Sequence, residues 1–301
     1  MTGTVVKGIG GFYFVHDGRE TVMGKARGNL KRNKEIIYVG DIVDFEIDEN
    51  DKDNECVVNR VIERRNHLTR PPVSNLDMLV VVFSLVRPAV NYPVIDKLIA
   101  GCENEGITPV ICISKTDLVT PEEAQKAADI YKDIYKTVCV DGLTGAGTEE
   151  LKEIIKGRRV ALAGPSGVGK STLTNLLHAG ESDIEETEER LLKAATGHIS
   201  RKTGRGRHTT RHVEIFPLSD GTMLYDTPGF TSLDLPEMDV HAVRDLFPEF
   251  RRIQSGCRYS DCMHLNEPGC AVKEELGDGR ISETRYLSYK AMTEEVKKWQ
   301  K

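Results

Sequence analysis

Gly164-Pro165-Ser166-Gly167-Val168-Gly169-Lys170-Ser171 follows the apolar segment Arg159 to Ala163 and runs into the helical pattern Ser171 to His178. It satisfies G-x-x-x-x-G-K-[ST], and a strand before with a helix after is the context in which that pattern cradles phosphates. The glycines let backbone N–H groups wrap a β-phosphate, the Lys170 ammonium spans β- and γ-phosphates, and the Ser171 hydroxyl ligates Mg²⁺. Residues Gly164 to Thr172 are therefore expected at a nucleotide, in a P-loop α/β domain.

The surrounding pattern agrees. Met78 to Phe83 and Pro109 to Ile113 are apolar runs of the kind buried parallel strands use, and Tyr135 to Val140 and Arg159 to Ala163 continue the series. Helical patterns fall at Pro93 to Glu105, Pro121 to Lys136 and Thr148 to Lys156. Strands alternating with helices of this length predict a doubly wound sheet, with ligands at the carboxyl ends of its strands.

Two further motifs close strands. Ser114-Lys115-Thr116-Asp117 ends the run containing Pro109 to Ile113, where a carboxylate can accept from guanine N1–H and the 2-amino group while the Lys115 stem covers the base. Adenine has no donors there, so Asp117 selects GTP and opposes an ATP-dependent kinase; an unpaired buried carboxylate can cost roughly 10⁴-fold in discrimination. Asp226-Thr227-Pro228-Gly229 follows Met223-Leu224-Tyr225. Asp226 is expected to hold the Mg²⁺ shell through water, and the Gly229 N–H to face the γ-phosphate.

In the usual GTPase the phosphate loop precedes the base-reading K-x-D, whereas here Ser114 to Asp117 come first. A domain whose termini lie close together can be reconnected in this way without changing its packing. With this permuted order, the chain resembles the circularly permuted, ribosome small-subunit-dependent GTPases of bacteria over essentially its whole length. The resemblance implies an N-terminal OB-fold that binds RNA or ribosome (1–71), a permuted GTPase domain (72–236) and a C-terminal helical zinc domain (237–301). It also implies a monomer acting on the small (30S) ribosomal subunit and its rRNA during late maturation, with hydrolysis stimulated by the subunit. The family's SxxTGxG-like base-holding segment corresponds to Asp141-Gly142-Leu143-Thr144-Gly145-Ala146-Gly147, with Asp141-Gly142 in place of the usual Ser-Ala.

Between Ser171 and Asp226 lies the basic, glycine-rich stretch Gly197 to Ile215. By resemblance to the family's HTT motif, Thr209 or Thr210 supplies the hydroxyl that senses Mg²⁺ and γ-phosphate, with Thr210 favoured by its place before Arg211. Phe230 stands where Ras-like enzymes carry the glutamine that orients water. Unassisted hydrolysis is therefore expected at or below the order of 10⁻⁴ to 10⁻³ per second. His208 is the nearest candidate for orienting water; an RNA contact at His208, or a mechanism using the substrate phosphate as base, are the alternatives.

Short alternating segments separated by Gly, Asn and Asp turns fill residues 4 to 70, the signature of a small β-barrel, and Arg70-Pro71-Pro72 reads as a linker. At the other end, Cys257, Cys262, His264 and Cys270 form C-x4-C-x-H-x5-C in a polar, turn-rich segment. Four such ligands suit one tetrahedral structural Zn²⁺ with no open position. Cys56, Cys102, Cys112 and Cys139 are expected as core thiols, and His241 as a surface residue.

The 301 residues carry a formal charge of −6, so nucleic acid must be met by local patches: Lys25, Arg27, Lys31, Arg32 and Lys34, then Arg64, Arg65 and Arg70, and the basic loop. No run of about 20 apolar residues and no signal-peptide pattern occurs, which gives an expectation of a cytoplasmic protein with no membrane partner. The competing reading is a GTP/GDP-switched protein-binding adaptor whose hydrolysis is incidental.

Overall fold

The structure is a computed structural model describing residues 1–32, 35–47, 55–179, 213–227, 229–233, 235 and 237–299. In chain order the first elements are β1 (Thr2–Ile9), β2 (Phe12–His16), β3 (Thr21–Ala26), α1 (Gly28–Arg32), β4 (Ile42–Ile47), β5 (Cys56–Val61), β6 (His67–Leu68) and β7 (Val73–Ser74). Next come β8 (Met78–Ser84), α2 (Tyr92–Glu105), β9 (Thr108–Ser114), α3 (Pro121–Asp129), β10 (Lys136–Val140), α4 (Thr148–Ile155), β11 (Arg159–Ala163) and α5 (Lys170–His178). Then follow β12 (Glu214–Pro217), β13 (Met223–Asp226), α6 (Pro248–Arg251), α7 (Ala271–Gly277) and α8 (Glu283–Trp299).

The chain divides into two compact units. One comprises Met1–Asp77, Ile155–Ala161 and His178–Gly229. Within it, β1, β2, β3, β5 and β4 pair in that order, and β4 returns to β1, closing a five-stranded barrel. Val5, Val15, Val43, Phe45, Cys56 and Val58 fill its interior. The alternating pattern read from residues 4 to 70 is this barrel, because period-two residues meet one core. The same unit carries β12 and β13, joined to the barrel through β1.

Arg70-Pro71-Pro72 forms the tip of a hairpin instead of an open linker: His67 and Leu68 lie opposite Ser74 and Val73. The buried Asp41 carboxylate fastens this hairpin, accepting from Ser74 Oγ at 2.6 Å, Arg64 Nε at 2.7 Å and the Tyr38 N–H at 2.8 Å. A buried carboxylate is tolerable only when its oxygens are satisfied in this way.

The other unit comprises Met78–Ile154, Leu162–Leu177 and Phe230–Lys301. Its β10, β9 and β8 are parallel, with Val80 to Phe83 and Val110 to Ile113 buried on both faces. Continuous apolar runs read as buried parallel strands for this reason. Helix α3 stops at Asp129, seven residues short of the patterned stretch. The apolar spacing Ala124, Ala127, Ala128, Tyr131 continues into a turn, where the buried Tyr131 hydroxyl donates to Asp96 at 3.0 Å. After Leu235, the 3-10 segment Val240–Leu246 and helices α6 to α8 build a second core from Val243, Phe247, Phe250, Tyr289 and Met292 against Ala100 of α2.

Candidate functional site

The phosphate-loop pattern bridges β11 and α5 as read. Gly164 has φ +150, and a Cβ there would lie 2.0 Å from the Val82 carbonyl oxygen, so no side chain fits. Its N–H donates to the Phe230 carbonyl at 2.9 Å. Phe230 is itself buried, a wall behind the loop and no donor toward a phosphate. Val168 is buried, whereas Ser166 and Gly167 are exposed at the loop's tip. The Lys170 ammonium is held by the loop's own carbonyls, Gly164 at 2.6 Å and Pro165 at 3.0 Å, and burial lowers its pKa. Ser171 and Thr172, exposed in the first turn of α5, complete the expected set.

The base-reading motif is fastened to this loop. The Ser114 hydroxyl, at the end of β9, lies 2.6 Å from the Val168 carbonyl and 3.0 Å from that of Phe83. Lys115 takes the left-handed conformation, φ 57, and its ammonium donates to the Gly167 carbonyl at 2.6 Å and the Arg87 carbonyl at 2.7 Å. Thr116 and Asp117 follow in a single 3-10 turn, with Asp117 exposed. Arg87, itself at φ 50, is a participant the sequence reading missed; the residue preceding a proline was its only signal.

The segment Asp141 to Gly147 is built around Asp141. Asp141 accepts from the Leu143 N–H at 2.7 Å, the Thr144 N–H at 3.2 Å and Thr144 Oγ1 at 2.6 Å. These bonds, Thr144's hydroxyl foremost, hold its carboxyl below the ordinary range. A Cβ on Gly142 would touch Thr172 Cγ2 at 3.4 Å, which seats this loop beside the start of α5. Gly147 has φ +83 and no room for a Cβ, which would meet the Cys139 carbonyl oxygen at 2.0 Å.

In the other unit, Asp226 ends β13 and Gly229 follows with φ 78. Burial raises the Asp226 carboxyl, with the His178 imidazole acting in the opposite direction. His208, Thr209 and Thr210 lie outside the described residues.

The four C-terminal ligand candidates converge: their ligand atoms all lie within 4.8 Å of one another. His264 Nδ1 stands 3.6 Å from Cys257 Sγ and 3.3 Å from Cys270 Sγ. A tetrahedral Zn²⁺ with bonds near 2.3 Å to sulfur and 2.1 Å to nitrogen separates N from S by about 3.6 Å, so the donor set fits. Burial pushes the Cys262 thiol up to about 12 and the His264 imidazole down. Tyr286 and Tyr289 hydroxyls donate to the His264 carbonyl at 2.7 Å and the Met263 carbonyl at 2.5 Å, fixing the ligand loop to α8. Of the remaining cysteines, Cys56, Cys102 and Cys112 are buried and Cys139 is half-buried, as core thiols should be, and His241 is exposed.

Comparison with known proteins decides the family. Residues 61–236 match the model described as RsgA GTPase, and residues 2–54 match the RsgA N-terminal domain. The chain belongs to the RsgA GTPase family. The small ribosomal subunit biogenesis GTPase RsgA of Agathobacter rectalis is 40% identical over 313 residues, covering 100% of both chains. That of Caldanaerobacter subterraneus subsp. tengcongensis is 40% identical over 302 residues, covering 100% of this chain and 97% of the relative. Among solved structures, YjeQ from Thermotoga maritima has a TM-score of 0.80 at 32% identity, covering 98% of each chain. YloQ, described as a circularly permuted GTPase, has a TM-score of 0.76 at 30% identity, covering 99% of this chain and 95% of that one. The RsgA architecture of barrel, permuted GTPase core and Cys/His-bearing helices is the one expected from the motifs. Among the described residues, no helix is long and apolar enough to cross a membrane.

Proposed function

We propose that this chain hydrolyses GTP on the small ribosomal subunit during its late maturation, slowly when alone and faster when the subunit engages it. The observation that carries the nucleotide half is the bonding of Ser114 and Lys115 to Val168 and Gly167, which joins a guanine-reading motif to a phosphate loop. The ribosomal half is supported by relatives named for small-subunit biogenesis that match the entire chain.

Asp117 reads the base, with Ser114, Lys115 and Thr116 placing it. Ser166, Gly167, Val168 and Gly169 present N–H groups to the phosphates while Gly164 and Pro165 shape the loop, Lys170 exchanges its loop carbonyls for β- and γ-oxygens, and Thr172 lies beside Ser171 at the nucleotide. Ser171 and Asp226 would hold Mg²⁺, whose chemistry is to neutralise charge developing on the phosphates. Gly229 faces the γ-phosphate, Thr209 or Thr210 senses it, and His208 orients water. Cys257, Cys262, His264 and Cys270 hold a structural Zn²⁺. Functionally, 1–71 meets RNA, 72–236 handles GTP and 237–301 is the zinc domain, in a monomeric cytoplasmic protein.

GTP and ATP hydrolysis measured with and without purified small subunits tests this. GTP turnover should be slow alone and rise with subunits, and ATP should not compete. A rate unaffected by subunits overturns the ribosomal reading; ATP binding equal to GTP overturns the assignment of Asp117. Replacing His208 with Ala and finding full stimulated turnover would remove it from catalysis.

A further inference from the structure

Strand β1 pairs with three strands, β2, β4 and β12. Thr2, Gly3 and Thr4 lie opposite Asp44, Val43 and Ile42, closing the barrel. The register against β2 then shifts between Val5 and Lys7, and Lys7 lies opposite Glu214 of β12. An extra residue of this kind turns a strand and re-aims the side chains that follow it. Here the re-aimed side chain is a lysine only 6% exposed, and it forms an ion pair with Glu214.

Glu214 in turn lies directly opposite Asp226 on β13. One row of cross-strand neighbours thus runs Lys7, Glu214, Asp226, and directly opposed residues share a sheet face. It begins in the barrel and ends at the carboxylate assigned above to Mg²⁺. Bonds at the neighbouring strands run the same way. Arg159 of β11 donates to Thr4 Oγ1 at 2.9 Å and to the Gly40 carbonyl at 3.1 Å. The Tyr225 hydroxyl, one residue before Asp226, donates to the Ser74 carbonyl at 3.0 Å.

A buried ion pair is a poor source of stability, because apolar side chains of like size avoid its desolvation cost. It is an effective register pin. A slip of one residue would turn Glu214 to the opposite face and strand Lys7 without a partner.

We propose that Lys7 and Glu214 are positioning residues for Asp226: they hold β12 and β13 in one register against the barrel, so that barrel binding to RNA and Mg²⁺-nucleotide binding at Asp226 influence each other. By linkage the influence is equal in both directions. The inference rests on the assignment of Asp226 to the nucleotide's metal under the proposed function.

The full chain is to be compared with a Lys7→Met/Glu214→Gln pair, which leaves no unpaired buried charge. Hydrogen exchange is followed with GDP and with Mg²⁺ and a non-hydrolysable GTP analogue. In the parent, amides of β1 from Val5 to Gly8 should exchange differently in the two states. In the paired variant that contrast should vanish while the contrast at Gly164 to Ser171 persists. The Mg²⁺ concentration giving half-maximal analogue affinity should rise about fivefold, the lower end of ordinary coupling, with GDP affinity in EDTA unchanged. A phosphate-loop contrast with no contrast in β1 of the parent overturns the inference and leaves the proposed function standing, and that outcome is readable even if the variant misfolds. A parent with no contrast at the phosphate loop overturns the nucleotide assignment itself, and the inference with it. A folded variant that keeps the β1 contrast also overturns the inference.

Discussion

The Ser114 hydroxyl reaches the Val168 carbonyl at 2.6 Å, bonding the residue that begins the base-reading turn to the middle of the phosphate loop. Two motifs far apart in the chain thereby hold each other's geometry. Base and phosphate sites that move independently would each bind their part of GTP without the other's help; the bond makes them one rigid receptor, reducing the ordering cost of binding.

Ser114→Ala should therefore weaken GDP binding through faster release. A neutral hydrogen bond contributes about 0.5–1.5 kcal/mol, so release should accelerate about 2- to 12-fold with association little changed. Ser114→Thr keeps the hydroxyl and should restore most of the loss. Stopped-flow release of a fluorescent GDP analogue reads both. An alanine variant indistinguishable from the parent would show that the two motifs are held together by other contacts.

The Asp141 loop has a testable pH signature. Its carboxyl is held below the ordinary carboxylate range by Thr144 and by the Leu143 and Thr144 N–H groups. A depressed folded value means the loop's order is fully present above the ordinary Asp pKa near 3.9 and is lost only as pH falls through the lower folded value. NMR signals of the Leu143 and Thr144 amides should thus stay constant from pH 7 to about pH 4 and move only below it. Asp141→Ala should broaden them at neutral pH and lower GTP affinity; sharp, unshifted signals in that variant would refute this role.

The nucleotide motifs were legible because each is short and its chemistry is local: a glycine forced by Val82 behind Gly164, a carboxylate following an apolar strand at Asp117. The cysteine spacing was legible for the same reason. The hairpin at Pro71 was hidden because Ser74 is held by Asp41, which no local pattern links to it. Equally hidden was the seating of β12 and β13 with the barrel, since the pairing of Lys7 with Glu214 spans most of the chain. Helix α3 was overextended because a turn can carry the same apolar spacing when Tyr131 has a distant partner in Asp96.

Metal removal should loosen the C-terminal helices in particular. Cys262 and Cys270 are part of the core that contains Val243, Phe250 and Tyr289, so the ligand loop is also a packing element. Structural Zn²⁺ contributes on the order of 10 kcal/mol in small zinc-finger peptides, and a share of that should appear here as folding stability. One zinc per chain by mass spectrometry, released by chelator or by Cys270→Ser with a lower melting temperature and faster exchange in α7 and α8, is the expected result. A metal-free protein with unchanged melting would remove zinc from the fold.

Arg285 of α8 is 1% exposed and joins the same helices to α2, donating to Asp96 at 2.8 Å and to Glu249 at 2.8 and 3.2 Å, with its guanidinium 4.6 Å from the Phe247 ring centroid. Removing one partner of such a group leaves the others buried and uncompensated, a loss of about 3–5 kcal/mol. Arg285→Ala should show this in urea unfolding at pH 7. Arg285→Lys should recover little, because one ammonium cannot reproduce a planar fork to two carboxylates. Burial already raises the Asp96 carboxyl and Arg285 opposes that rise, so the alanine variant should raise it further. A carboxyl whose folded pKa exceeds its unfolded one penalises folding above the folded value, and the penalty fades as pH falls toward the unfolded value. The stability deficit of Arg285→Ala against the parent should accordingly narrow as pH is lowered from neutrality. A deficit that is constant as pH falls would mean that lost packing against Phe247, and not the stranded Asp96 charge, accounts for it.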